Sequence, residues 1–155
     1  MNEAMPKAAD APGSRASSAA SRPALSVVVP CFNEAPVLGQ LHARVAKICR
    51  EAVGDDWELV LVDDHSTSPA VREVLSGLVD ARIVVVQTAE NRGISGATNE
   101  GMVRATGDFI VFLDHDDELT VDCLYELALR IDRDDPDYLY SDEDKLDADG
   151  RFVEP

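Results

Sequence analysis

Three features of the sequence predict an α/β protein with a mostly parallel sheet and helices on both faces. Short runs rich in Val and Leu alternate with longer segments of helical spacing. The helical segments have ten or more residues, enough for βαβ crossovers. Polar, largely acidic clusters follow the apolar runs, where such sheets bind ligands.

The elements follow in order. Residues 1–24 are rich in Ala, Ser and Pro without periodicity and read as a disordered leader. Leu25–Pro30 is a continuous apolar run, the pattern of a strand buried on both faces. Pro36 to about Val53 carries Val37, Leu38, Leu41, Val45 and Ile48 at helical spacing. Trp57–Val62 is a second buried strand, ending in Asp63-Asp64. Pro69–Val79 predicts a helix through Val71, Val74, Leu75 and Leu78, and Ile83–Val86 a third strand. Gly93–Ala105 is a helix, and Phe109–Leu113 is a strand running into Asp114. Val121–Ile131 completes the helices, and Tyr138–Tyr140 predicts a fifth strand. Residues 25–155 are thus expected to form one domain.

Charge narrows the function classes. The chain carries 30 acidic against 14 basic residues, a formal net charge of −16. Such a balance disfavours a nucleic-acid backbone or an anionic membrane surface as partner. Sixteen of the acids lie between Asp108 and Asp149, opposed only by Arg130, Arg133 and Lys145. Apolar segments interleave them, so the region is expected to fold. Cys31, Cys49 and Cys123 are odd in number and widely spaced, the pattern of reduced thiols rather than a disulfide framework or a zinc site. No run of 18 apolar residues occurs, so nothing in the sequence reads as a membrane span.

The strand ends carry the chemistry. Asp114-His115-Asp116-Asp117 places two carboxylates one residue apart where a strand turns. This hard anionic oxygen site suits Mg²⁺ or Mn²⁺, which keep open positions for phosphate oxygens. The same aspartates also serve in turns and as helix caps, Asp117 and Thr120 being the candidates. His115 reads as an exposed turn residue. Asp63-Asp64 offers acceptors for a nucleobase imide or a ribose hydroxyl, with capping again the competing role. Asn91-Arg92-Gly93 opens a helix whose Gly93, Ala97, Gly101 and Ala105 recur every four residues, a stripe for close packing on the sheet. Arg92 beside a helix N-terminus is a plausible anion contact.

In this order these segments resemble the family 2 glycosyltransferases, inverting nucleotide-sugar enzymes of GT-A fold. The resemblance is carried by Ser26–Pro30 with Asn33-Glu34, by Leu61–Ser66, by Asn91-Arg92-Gly93 with Ala97, Asn99, Gly101, Ala105 and Gly107-Asp108, and by Phe112–Asp117. Tyr140-Ser141-Asp142-Glu143-Asp144-Lys145 is similar to a segment of members that build O-antigen and other surface polysaccharides. The resemblance implies a Rossmann-like sheet incomplete at its C-terminus. It implies that Pro30 and Phe32 flank the nucleoside, Asp64 binds the base and Arg92 approaches the nucleotide. Asp114 would contact ribose or metal, and Asp116 would ligate a Mn²⁺ or Mg²⁺ ion bridging the diphosphate. Asn33, Glu34 and Asn99 would bond loops and helix ends, and Asp142–Lys145 would line the acceptor side or form a charged loop.

The implied reaction moves a sugar from a UDP-, GDP- or dTDP-linked donor to a saccharide or lipid-linked acceptor. It belongs in the cytoplasm or at the inner face of the cell membrane, any membrane contact being made by parts outside this chain. The family's general base lies beyond the segment matching residues up to Pro155. The chain is therefore expected to be a donor-binding half, inactive alone. A non-catalytic nucleotide-binding module is the alternative. An aspartate-phosphorylated receiver domain fits less well, since it needs its acidic pair after the first strand, which here ends in Pro30-Cys31-Phe32-Asn33.

Overall fold

The computed structural model describes residues 22–147 and 149–153. The first apolar run forms β1 (Leu25–Cys31), every residue of which is buried. Helix α1 (Ala35–Val53) starts with Pro36 in its first turn and stops at Gly54, whose φ of +66° suits glycine. Strand β2 (Trp57–Asp63), helix α2 (Pro69–Gly77), strand β3 (Ile83–Gln87), helix α3 (Gly93–Arg104), strand β4 (Phe109–Phe112) and helix α4 (Cys123–Asp134) follow. A two-residue hairpin pairs β5 (Lys145–Leu146) with β6 (Phe152–Val153).

The main sheet is parallel throughout, in the order β3-β2-β1-β4. Leu25 of β1 stands between Trp57 of β2 and Phe109 of β4, and Asp63 at the end of β2 stands opposite Cys31. The chain builds outward from β1 through β2 to β3. It then returns over the sheet to lay β4 on the other side of β1. That reversal opens a crevice at the carboxyl ends of β1 and β4, the position where open α/β sheets take their ligands.

Alternation within the central strands sorts the core into two layers. Val27, Val29, Leu59 and Leu61 face α1, α2 and α4, meeting Leu38, Val45, Val71 and Leu124. Val28, Val60, Val62 and Val86 face α3 and meet Ala97. The small-residue stripe is what lets α3 sit so low. A Cβ on Gly101 would overlap Val28 Cγ1 and come within 3.0 Å of Val62 Cγ2. Below the sheet's other end, Ser26 and Glu58 hold the turn after α3. Ser26 Oγ donates to Glu58 (2.6 Å) and accepts from Gly107 N (2.8 Å), while Thr106 N donates to Glu58.

Four sequence expectations need correction. The sequence predicts a leader through residue 24, but Pro23 and Ala24 bond to the fold. Ala24 N donates to Asp56 O, and the Pro23 and Ala24 carbonyls accept from Asp108 and Phe109. Residues 1–21 lie outside the described residues. Helix α2 stops two residues short of Val79, because Leu78 is extended. Helix α4 begins at Cys123 after Asp122, not at Val121, so neither Asp117 nor Thr120 is its N-cap. Tyr138–Tyr140 is no strand. Helix α4 runs three residues past Ile131 and Asp135 takes a left-handed conformation (φ 43°), which redirects the chain. The two tyrosines are exposed and stack on each other with ring centroids 6.5 Å apart.

Candidate functional site

The turn after β2 separates the fates of its two aspartates. Both are buried. Asp63 is consumed locally: its Oδ1 accepts from Ser66 N (2.9 Å) and its Oδ2 from Gln87 Nε2 (3.2 Å). Asp64 instead reaches the loop before α3. Its two oxygens accept from Arg92 N at 2.8 and 3.1 Å, and Thr88 Oγ1 lies 3.1 Å from Oδ1. Asn91 strengthens the tie, donating from Nδ2 to Asp64 O and accepting Gly93 N on Oδ1, each at 3.2 Å. The start of α3 is thereby fastened to the end of β2.

The turn after β1 is fastened to the same loop. Asn33 adopts φ 60°, a left-handed conformation that asparagine tolerates. Its N–H donates to Ser66 Oγ (2.8 Å), and its Oδ1 accepts from both Thr67 N and Ser68 N (3.0 Å each). The expected loop-bonding role of Asn33 is therefore seen directly. Phe32, just before it, is left 43% exposed at the crevice.

Beyond β4, Leu113 N still bonds Val28 O (3.1 Å), so the strand direction carries into Asp114. Asp117 N donates to Asp114 O (3.2 Å), closing a turn that leaves Asp114 and Asp116 exposed. His115 is half-buried, with Nε2 3.9 Å from Glu34 Oε1. Asp117 has its carboxyl pKa raised, first by burial and then by the charges of Asp114, Asp116 and Glu143, with His115 opposing. Glu143, from the segment before β5, thus stands near this turn.

These strand ends enclose one cavity of about 240 Å³. Asp64 and Asn91 line it at the β2 side, Pro30, Cys31 and Phe32 at the β1 side, and Asp114, His115 and Asp116 at the β4 side. Gly93, Ile94 and Ala97 of α3 complete its wall. Of the residues singled out in the sequence, Pro30, Phe32, Asp64, Asp114 and Asp116 converge here. Arg92 does not line the cavity. Its guanidinium pairs with Glu100 Oε2 (3.1 Å) along α3.

Sequence reasoning passed over Ile94 and Thr88. Ile94 carried a usable signal, being a large apolar residue one position off the stripe that packs on the sheet. Thr88 had none, because its role depends on the distant Asp64. Cys31 is no nucleophile: burial, then Asp63, Asp64 and Glu34, push its thiol to about 12. All three cysteines are free. Among the described residues, no three His, Cys, Asp or Glu side chains converge as a cation cage.

A parallel sheet with a carboxylate-edged cavity at its switch point defines the class of open α/β proteins that bind ligands at the carboxyl ends of their strands. The model of the family Glycosyl transferase family 2 matches residues 26–149, and the chain belongs to that family. Its sheet and helices match the GT-A fold of solved glycosyltransferases. It is 34% identical over 137 residues to the O-antigen biosynthesis protein RfbC of Myxococcus xanthus, covering 86% of this chain and 10% of that protein. A mannosyltransferase of Pyrobaculum calidifontis, solved with GDP-Man and Mn²⁺, superposes with a TM-score of 0.58 at 30% identity over 72% of this chain and 33% of that one. S. aureus TarS 1-349, solved with UDP-GlcNAc, gives 0.56 at 28% identity over 70% and 31%. The chain thus spans about a tenth of the curated relative and a third of each solved chain. Among the described residues no helix is long and apolar enough to cross a membrane.

Proposed function

We propose that this chain is the donor-binding part of an inverting sugar transferase, its cavity taking a nucleoside diphosphate sugar. One observation carries this reading: a single cavity joins Asp64, the Pro30–Phe32 turn and the Asp114–Asp116 turn across three adjacent strand ends. The base lies at the Asp64 end beside Pro30 and Phe32, and the diphosphate at the Asp114–Asp116 end. Arg92 approaches the nucleotide if its pair with Glu100 opens.

Asp114 and Asp116 would hold Mn²⁺ or Mg²⁺. The fit rests on their exposure at the cavity and on the gathering of carboxylates there, since the charges of Asp114, Asp116 and Glu143 add to burial in raising the Asp117 pKa. Two carboxylates leave most coordination positions to phosphate oxygens and water. When bound, the ion neutralises charge building on the departing diphosphate. The solved mannosyltransferase with GDP-Man and Mn²⁺ supports this choice of donor and ion.

Inversion by a single displacement needs a base within reach of the acceptor hydroxyl. In this reading that base belongs to the larger part of the relatives, which this chain does not span, and the 155 residues bind donor with little or no transfer. The acceptor is a saccharide or a lipid-linked saccharide, and the reaction runs in the cytoplasm or at the inner membrane face. The membrane-linked case draws support from the undecaprenyl-phosphate 4-deoxy-4-formamido-L-arabinose transferase of Proteus mirabilis, 33% identical over 94 residues, 59% of this chain and 28% of that one.

Calorimetric titration with UDP-, GDP- and dTDP-sugars, with and without Mn²⁺, tests the reading. One donor should bind in a Mn²⁺-dependent manner, and Asp116→Ala should weaken it by roughly ten-fold or more, the loss of a charge-assisted contact. Asp116 is exposed, so the change leaves the core alone. Absence of any nucleotide binding, or unchanged binding by Asp116→Ala, overturns it.

A further inference from the structure

Ile94 is 61% exposed in the first turn of α3, although it is a large apolar residue. Core packing does not account for it, since α3 packs on the sheet through Ala97 and Gly101, which are buried. The stem of Arg92 lies back along the helix, where a Cβ on Gly96 would overlap it, and its charged end pairs with Glu100. The helix therefore presents Ile94, and not Arg92, to the cavity wall.

Where Ile94 stands along the cavity follows from what holds α3. Arg92 N is bonded to the Asp64 carboxylate and Asn91 to the Asp64 carbonyl, so the first turn of the helix is fixed at the β2 end. Phe32 reaches the same cavity from the β1 turn, which Asn33 ties to the loop after Asp64. Two exposed apolar side chains on separate elements thus border the Asp64 end, both anchored through one loop. Exposed apolar side chains from two elements beside a carboxylate suit a flat heterocycle whose faces are apolar and whose edge donates hydrogen bonds.

We infer that Ile94 is a positioning residue for the donor, gripping the nucleobase against Phe32 while Asp64 accepts from the base edge. The inference rests on the donor-binding reading above. It assigns base affinity to Ile94 and leaves the diphosphate end independent of it.

The test compares the full chain with Ile94→Ala and Ile94→Leu by calorimetry, using UDP and inorganic pyrophosphate as probes, each with Mn²⁺. Removing the outer carbons of an apolar contact weakens binding roughly ten-fold. UDP should therefore bind Ile94→Ala about that much more weakly, with Ile94→Leu restoring most of the loss. Pyrophosphate, which lacks a base, should bind all three alike. Equal UDP affinity in wild type and Ile94→Ala overturns the inference while leaving the donor site standing, as does a parallel loss of UDP and pyrophosphate. Failure of the wild-type chain to bind UDP or any other nucleotide removes both. The thermal transition should be unchanged, because Ile94 lies outside the core.

Discussion

Asn33 shows how much of the site depends on one short side chain. Its Oδ1 accepts two loop N–H groups while its backbone holds a left-handed conformation. Alanine keeps neither the acceptor nor the tolerance for φ near 60°. Each net hydrogen bond contributes roughly 1 kcal/mol and the left-handed strain about as much again. Asn33→Ala should therefore cost about 3 kcal/mol in urea unfolding, against a smaller loss for Asn33→Asp, which retains an acceptor and tolerates the conformation. An alanine variant as stable as wild type would show that the loop is held elsewhere. The sequence marked Asp63-Asp64 as a strand end, and the family resemblance pointed to Asp64. What it could not reveal is that Asp63 would be spent on Ser66 and Gln87, because Gln87 lies on a neighbouring strand whose register no local pattern sets.

At the scale of elements, two glycines in helices have opposite costs. Both forgo helix propensity of about 1 kcal/mol relative to alanine. Gly39 of α1 is exposed and a Cβ there meets nothing within 4 Å. Gly101 of α3 is buried, and a Cβ there would overlap Val28 in the central strand. Overpacking a tight core typically costs 1–3 kcal/mol, roughly cancelling or exceeding the propensity gain. Gly39→Ala should thus raise the urea midpoint, by about 0.5–1 kcal/mol of stability, and Gly101→Ala should lower it or leave it level. If both variants gain equally, the low seat of α3 on the sheet is wrong. The stripe behind this argument was legible because a four-residue recurrence of small residues has a direct geometric meaning. Tyr138–Tyr140 misled for a matching reason. Two tyrosines around a leucine have strand propensity, but three residues offer few ladder bonds, and β-propensity chiefly reports neighbours that this segment lacks.

For the whole molecule, the order β3-β2-β1-β4 was not legible, since βαβ spacing predicts parallel pairing without saying on which side of β1 the last strand returns. The acidity was legible, and its effect on stability divides by group. A net charge of −16 repels itself in the compact state, so partial neutralisation below pH 7 favours folding. Asp117 adds to this: its pKa is raised in the fold, so its contribution is present at low pH and lost as pH rises through the folded value. Asp80 acts in the opposite sense. Hydrogen bonds from Arg82, whose guanidinium also lies 4.3 Å over the Trp57 ring, hold the Asp80 carboxyl far below the usual carboxylate range. A depressed folded pKa means stability present above about pH 4 and lost as pH falls below it. Urea midpoints should therefore rise from pH 8 toward about pH 5 and fall steeply below about pH 4. Asp80→Asn isolates the second limb. It should lower the midpoint at pH 7, approach wild type progressively as pH falls below about 4, and so flatten the acid loss. A variant whose acid limb runs parallel to wild type would show that other carboxylates carry it.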